Sequence, residues 1–410
     1  MKKLLLAAVA ALVLAAPASG GEADVRFATF NASLNRSTEG QLVANLAAPD
    51  AGTVFQAQAK NVAEVIQRER PDVLLINEFD YAPAALDLFR ENFLEVSQNG
   101  AAPIHYPYAF IAPSNTGIAT GKDLNNNGVV VTTPGAPGYG DDAFGFGAFP
   151  GQFGLAVLSR YPIDPLGVRT FQLVRWKDMP GNLIPQPFYS PDEVEILRLS
   201  SKSHWDLPIR IEGKTVHFLV SHPTPPVFDG PEDRNGRRNF DEIRFWADYI
   251  TPGDGEYIYD DAGRFGGLKP GELFVIAGDQ NSDPLDGDSI PGAAQQLIEH
   301  PLVNAKVTPR SDGAVEATAL QGGANLTHRS DPQYDTADFA DTAPGNLRAD
   351  YVLPRKTLQI RGSGVFWPLQ ADPLFRLTGV FNFALWGPVG GFPTSDHRSV
   401  WVDVSVPAVQ

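Results

Sequence analysis

Cysteine is absent from all 410 residues. That excludes disulfides, thiol nucleophiles and cysteine-bound metals, and leaves only histidine and carboxylates as ligands for zinc. Basic charge is scarce: 32 Lys and Arg stand against 48 Asp and Glu, a formal net charge of -16 at pH 7. Such a chain has no global positive field with which to hold a polyanion, so its composition argues against tight non-specific DNA binding through charge alone. Beyond residue 15 no apolar run reaches the roughly 18 residues of a membrane span. Walker A, G-x-S-x-G and H-E-x-x-H patterns are missing too. Nucleotide-switch, serine-hydrolase and zinc-protease readings therefore lack their usual signals.

What is present begins with a leader. Met1-Lys2-Lys3 is a short basic start, Leu4–Ala15 is one apolar run, and Ala16-Pro17-Ala18 is a small-residue cleavage site. This predicts a signal peptide over 1–20 and a mature chain, 21–410, that is secreted or periplasmic. The mature part is expected to be soluble, monomeric and a single domain with ample length for a large core.

Apolar runs of strand character recur along it: Val25–Phe30, Val73–Ile76, Phe153–Ser159, Leu197–Ile211, Lys214–Val220, Leu273–Ala277, Ala349–Leu353 and Ser399–Val406. Helical spacing marks Gln56–Arg70, with Val62, Val65 and Ile66 on one face and Pro71 ending it. Ala84–Leu94 and Arg237–Ile250 read as further helices. Three Gly-, Asn-, Asp- and Pro-rich stretches, near 99–151, 223–236 and 282–346, read as long loop insertions. The order of elements predicts a mixed α/β protein with two sheets packed as layers.

Polar clusters stand where these runs stop: Asn31, Glu78, His222, Asp279 with Asn281, and Asp396-His397. Asp350 lies inside one. Each alone has a bland reading as a cap, a turn or a solvated strand end. As a set they match the needs of phosphoester hydrolysis, which takes a Lewis acid, an activated water and a stabilised leaving oxygen. Hard cations take carboxylate oxygens, which Glu78 and Asp396 supply. His222 and His397 exchange protons near neutral pH, and a carboxylate such as Asp350 fixes a histidine's tautomer.

The segments Thr29-Phe30-Asn31, Ile76-Asn77-Glu78, Gly278-Asp279-Gln280-Asn281, Ala349–Leu353 and Ser395-Asp396-His397, with Phe153–Ile163, resemble the endonuclease/exonuclease/phosphatase superfamily, in that family's order. The resemblance spans about Val25–Val406. It implies a four-layer α/β sandwich with two packed, mostly antiparallel sheets flanked by helices. It implies Glu78 as main ligand of Mg²⁺ (or Mn²⁺ or Ca²⁺), with Asn31 beside it and Asp396 assisting. His397 would be the catalytic histidine, oriented by Asp350. Asp279 would position or activate water, Asn281 would hold a phosphate oxygen, and His222 would contact the scissile phosphate or protonate the leaving group. The expected substrate is a phosphoester, either a nucleic acid or a small organic phosphate. A phosphodiesterase or nuclease is the leading expectation. A phosphomonoesterase and a non-catalytic binding protein that keeps the fold are the alternatives. Ser-His-Pro after the strand departs from the usual Asn/Thr-His-Leu and leaves the leaving-group pocket open.

Two further features admit two readings each. Arg234, Arg237 and Arg238 form either a cationic rim for phosphate or a salt-bridged helix start, with Arg238 and Glu242 at i, i+4. Asp123, Asn125 and Asn127 begin like a calcium loop but lack the twelfth-position Glu; a small structural Ca²⁺ site and a plain Asn/Gly turn both fit. The same question attaches to Asp283, Asp286 and Asp288.

Overall fold

The computed structural model describes residues 22–408; the segment read as a signal peptide lies outside them. In chain order the strands are β1 (Ala23–Asn31), β2 (Val73–Asn77), β3 (Tyr108–Phe110), β4 (Leu155–Ser159), β5 (Arg169–Thr170) and β6 (His204–Ile211). They continue with β7 (Lys214–Ser221), β8 (Leu273–Asp279), β9 (Asp350–Pro354), β10 (Gln359–Val365) and β11 (Val400–Val406). One sheet has the order β10-β11-β1-β2-β4-β3 and the other β5-β6-β7-β8-β9. Neighbours are antiparallel except β1 with β2 and β7 with β8.

Side-chain alternation explains the layering. In β2, Val73 and Leu75 point into the space between the sheets, while Leu74 and Ile76 face the outer helices. In β8, Val275 and Ala277 point between the sheets, and Phe274 and Ile276 point outward. Both strands are covered on both faces, which is why they read as unbroken apolar runs. Phe27 of β1 meets Phe218 of β7 at 5.5 Å between ring centroids, across the interface between the sheets. Helices α1 (Gln41–Ala47), α2 (Val54–Glu69) and α3 (Pro83–Phe89) cover the first sheet. The short α4 (Pro191–Val194) and the long α5 (Arg234–Ile250) lie on the side of the second. The result is the four-layer α/β sandwich. Helix α2 stops because Arg70 turns left-handed at φ 55° and Pro71 has no N–H to continue the ladder.

Three expectations change. The run Leu197–Ile211 is a strand only from His204; the residues before it leave the sheet. The 99–151 stretch is partly built in: β3 extends the first sheet, and Asn115, Thr116 and Asp142 are buried. The 282–346 stretch contains helical turns, the longest at Asp312–Gln321, and β10 went unread because its Gly-rich, half-exposed sequence carries little periodicity. No helix among the described residues is long and apolar enough to cross a membrane.

Candidate active site

The site forms where the C-terminal ends of β1, β2, β7 and β8 meet the start of β9 and the turn before β11. Gly278 lets β8 approach β7 closely: a Cβ there would lie 2.0 Å from the Ser221 carbonyl oxygen. That approach brings Asp279 beside His222. Glu78 follows β2 in a left-handed conformation, φ 58°, and Asn281 does the same after β8, φ 50°. Non-glycine residues adopt this region at a cost, and such costs concentrate at functional sites.

Asp279 is the hub. Its Oδ2 accepts a hydrogen bond from Asn31 Nδ2 at 3.0 Å, and its Oδ1 accepts one from the Asn281 amide at 2.9 Å. His222 Nε2 lies 3.3 Å and His397 Nε2 3.5 Å from the same Oδ2. On its other side His397 Nδ1 donates to Asp350 Oδ2 at 2.8 Å, and the Thr336 hydroxyl donates to that oxygen at 2.8 Å. Asp350 stands directly opposite Asp279 in the β8–β9 register. Asp279, Asp350 and His397 each offer a ligand atom within 4.8 Å of the others, a spacing that suits a divalent ion.

Burial and neighbouring charge separate the titrating groups. Burial pushes the Asp279 carboxyl up to about 6, against the pull of the His397 charge. His222 is driven well below the usual histidine range, first by burial and then by the Lys202 and His397 charges, so it is neutral. Burial would also depress His397, but the charges of Asp350 and Asp279 outweigh it and hold the imidazole well above its ordinary value. Two histidines flanking one carboxylate thus carry different charges.

Glu78 and Asp396 carry further acidic charge at the site. Glu78 is raised by burial and then by the Asp396 charge, the strongest single charge acting on it. Asn35 Nδ2 donates to Glu78 Oε2 at 2.7 Å. Among the described residues no Lys, Arg or His stands within 4.0 Å of either carboxylate. A hard divalent cation fits this set: oxygen donors and two negative charges with no protein cation in direct contact, the His397 charge acting on Glu78 from farther off. Beneath them Asp80 accepts the amides of Arg36 and Phe153, and burial lifts it to about 7.

All eight residues expected at the centre gather here, Asn281 with its side-chain amide on the Pro223 carbonyl at 3.1 Å. The arginine rim does not. Arg238 spends its guanidinium on the carbonyls of Leu199, Phe144 and Arg198, clamping the 99–151 stretch to the ledge before β6. Arg234 pairs with Glu232, and Arg237 donates to the Glu232 carbonyl. The expected Arg238–Glu242 pair is replaced: Glu242 accepts the Ser201 and Thr224 amides, both at 2.6 Å. The Asp123, Asn125 and Asn127 loop closes on its own amides. Asp123 takes those of Asn127 and Gly128, Asn125 that of Asn127, and Asn127 that of Val129, as in an Asn/Gly turn. Asp283 and Asp286 likewise accept backbone amides. Sequence reasoning missed Asn35, Thr336 and Lys202. The lysine left a trace, a lone cation among serines in Ser200–Ser203 that breaks an apolar run.

A buried carboxylate–histidine relay beside a carboxylate pair with no cation in direct contact is equipment for hydrolysis at a phosphorus centre. The chain belongs to the endonuclease/exonuclease/phosphatase family, whose model matches residues 28–397. Phosphoester cleavage is the chemistry those three activities share. A search of curated proteins finds no match. Among solved structures, the chain is similar to an endonuclease/exonuclease/phosphatase from Beutenbergia cavernae DSM 12333, at 18% identity over 94% of this chain and 72% of that one, TM-score 0.48. It is similar to the human Nocturnin catalytic domain with bound sulfate, at 15% identity over 93% and 94%, TM-score 0.46. It is also similar to a mutant beta toxin from Staphylococcus aureus with bound magnesium ions, at 14% identity over 93% and 99%, TM-score 0.44.

Proposed function

We propose that this chain is an exported, divalent-metal-dependent phosphodiesterase of the endonuclease/exonuclease/phosphatase family. The observation that carries the reading is the convergence of Asn31, His222 and His397 on one carboxylate oxygen, Asp279 Oδ2, at 3.0, 3.3 and 3.5 Å. Glu78 and Asp396, with Asn31, would hold the ion, and oxygen donors of this kind suit Mg²⁺. When bound, the cation withdraws charge from the phosphoryl oxygens and so eases attack at phosphorus.

The chain's own residues divide the remaining work by charge. Asp279, ionised above about pH 6, accepts a proton from the attacking water as its oxygen bonds to phosphorus. His222 is neutral and holds the other side of that carboxylate. His397 is kept cationic by Asp350 and Asp279, and it stabilises the negative charge that builds on the phosphoryl group. The P–O bond to the alcohol breaks as the new one forms, opposite the attacking water, and the departing oxygen takes up a proton from solvent.

The test is a panel of plasmid DNA, RNA, bis-p-nitrophenyl phosphate, p-nitrophenyl phosphate and sphingomyelin with Mg²⁺, Mn²⁺ or Ca²⁺. We expect cleavage of a diester that EDTA abolishes and that Glu78→Ala and His397→Ala each reduce by about 100-fold or more. Turnover surviving both substitutions, or persisting in EDTA, would sink the proposed site. Export is tested separately by the N-terminal sequence of the protein recovered outside the cytoplasm, expected to start near residue 21.

A further inference from the structure

Just before β6 the residues Leu199–Ser203 form a ledge, not a strand. It is clamped from both sides. The Asn115 amide donates to the Lys202 carbonyl at 2.8 Å, and the Ser201 amide donates to Glu242 Oε1 at 2.6 Å. Gly145 packs so closely that a Cβ there would lie 1.9 Å from the Ser201 carbonyl oxygen. The ledge therefore has little freedom, and Lys202 on it is only 7% exposed. Its place follows from strand pairing. His204 stands opposite Ser221 in antiparallel register, so the ledge enters β6 at the level where β7 gives way to His222. Strand β7 in turn lies parallel to β8, which ends at Asp279.

A lysine buried this deeply needs a counter-charge, because lost hydration penalises its charged form. The nearby carboxylates are otherwise engaged. Asp279 faces the two histidines, and Glu242 is taken by two backbone amides. Among the described residues, no carboxylate stands within 4.0 Å of Lys202. Burial lowers its proton affinity, while the charges of Glu242, Glu78 and Asp279 pull the other way. After burial, the Lys202 charge is the largest influence depressing His222, which ties the two groups to one corner of the site.

We propose that Lys202 is a catalytic residue whose ammonium meets a non-bridging phosphoryl oxygen of the substrate on the His222 side of the site. The assignment rests on the phosphoester reading above. It gives a physical reason for a buried lysine that has no carboxylate in direct contact, and it fills the role that Arg234, Arg237 and Arg238 leave vacant. A compact ammonium suits a single oxygen, where a guanidinium would demand a bidentate partner.

The test measures binding of inorganic phosphate to the Mg²⁺-loaded full chain by calorimetry, for the parent, Lys202→Met and Lys202→Arg. Diester turnover and thermal melting are recorded alongside. We expect Lys202→Met to weaken phosphate binding by about tenfold or more, with Lys202→Arg, which keeps the charge but not the compact shape, recovering only part of it. We also expect Lys202→Met to melt no lower than the parent, since a desolvated charge has been removed. A purely structural lysine would show the reverse: unchanged phosphate affinity and a lower melting temperature. Should Lys202→Met fail to fold, Lys202→Gln takes its place, and unfolding of both would assign the side chain to structure and overturn the proposal. An active parent whose Met variant keeps its phosphate affinity and its turnover overturns this assignment alone. A parent inactive on every phosphoester overturns the functional reading, and this assignment with it.

Discussion

Asp279 takes its character from where it is buried. Its carboxyl is lifted to about 6 by loss of water, and the His397 charge limits the rise. As the proposed base it must be ionised, so protonation removes activity as pH falls through that value. We expect kcat/KM for a diester to climb about tenfold per pH unit below 6 and to level above it. Asp279→Asn should remove that limb together with about 10² to 10⁴ of the rate. A profile already flat from pH 5 to 7 in the parent would assign the base elsewhere. His397 shows the opposite balance, since two carboxylates overcome the burial that neutralises His222 nearby. Neither histidine's charge follows from its residue type alone.

Helix α5 is the element that holds the second half of the site together. Its apolar face, with Ile243, Trp246 and Ile250, packs into the core of the second sheet as its spacing predicts. Its buried polar residues reach three site-bearing segments. Glu242 takes the amides of Ser201 and Thr224, and Asn239 donates to the carbonyls of Thr224 and Gln280 at 2.8 and 2.9 Å. Trp246 Nε1 donates to the Ser221 hydroxyl at 3.0 Å. The helix thus indexes the ledge, the turn after His222 and the turn after Asp279 to one another. Glu242→Ala strands two buried amides, each worth about 1 to 3 kcal/mol when left unpaired. We expect a loss of about 3 kcal/mol in urea unfolding and a fall in turnover larger than any change in KM. A variant as stable as the parent would show that the ledge does not depend on this carboxylate.

Across the whole molecule, both sheets contribute to one edge, and residues from Asn31 to His397 must be present together for it to exist. That arrangement couples metal binding to global stability. Glu78 and Asp396 repel each other without a cation, so an ion that binds only the folded chain should stabilise it. At 100 times its Kd the gain is about 2.7 kcal/mol, enough for a rise of several degrees in Tm. Differential scanning fluorimetry in EDTA and then in excess Mg²⁺ should show this rise for the parent and little of it for Glu78→Gln. Equal melting in both conditions would count against the ion at this pair.

Much of the architecture was legible in the linear chain. Alternation and unbroken apolar runs mark β1, β2, β7, β8 and β11, because burial of a strand's faces is written in consecutive residues. The eight central polar residues were legible for a related reason: all but Asp350, which interrupts a run, sit where a run ends, and a strand end is a local feature. Other properties arise only when distant segments pack. Arg238 became a clamp because the carbonyls of Phe144 and Leu199 reach it, and the Asp123 loop closes on its own amides. Lys202 acquired its meaning from two neighbouring strands and a helix. Residue identity and periodicity are properties of the chain, whereas charge state and hydrogen-bond partner depend on solvent exclusion and proximity, which exist only in three dimensions.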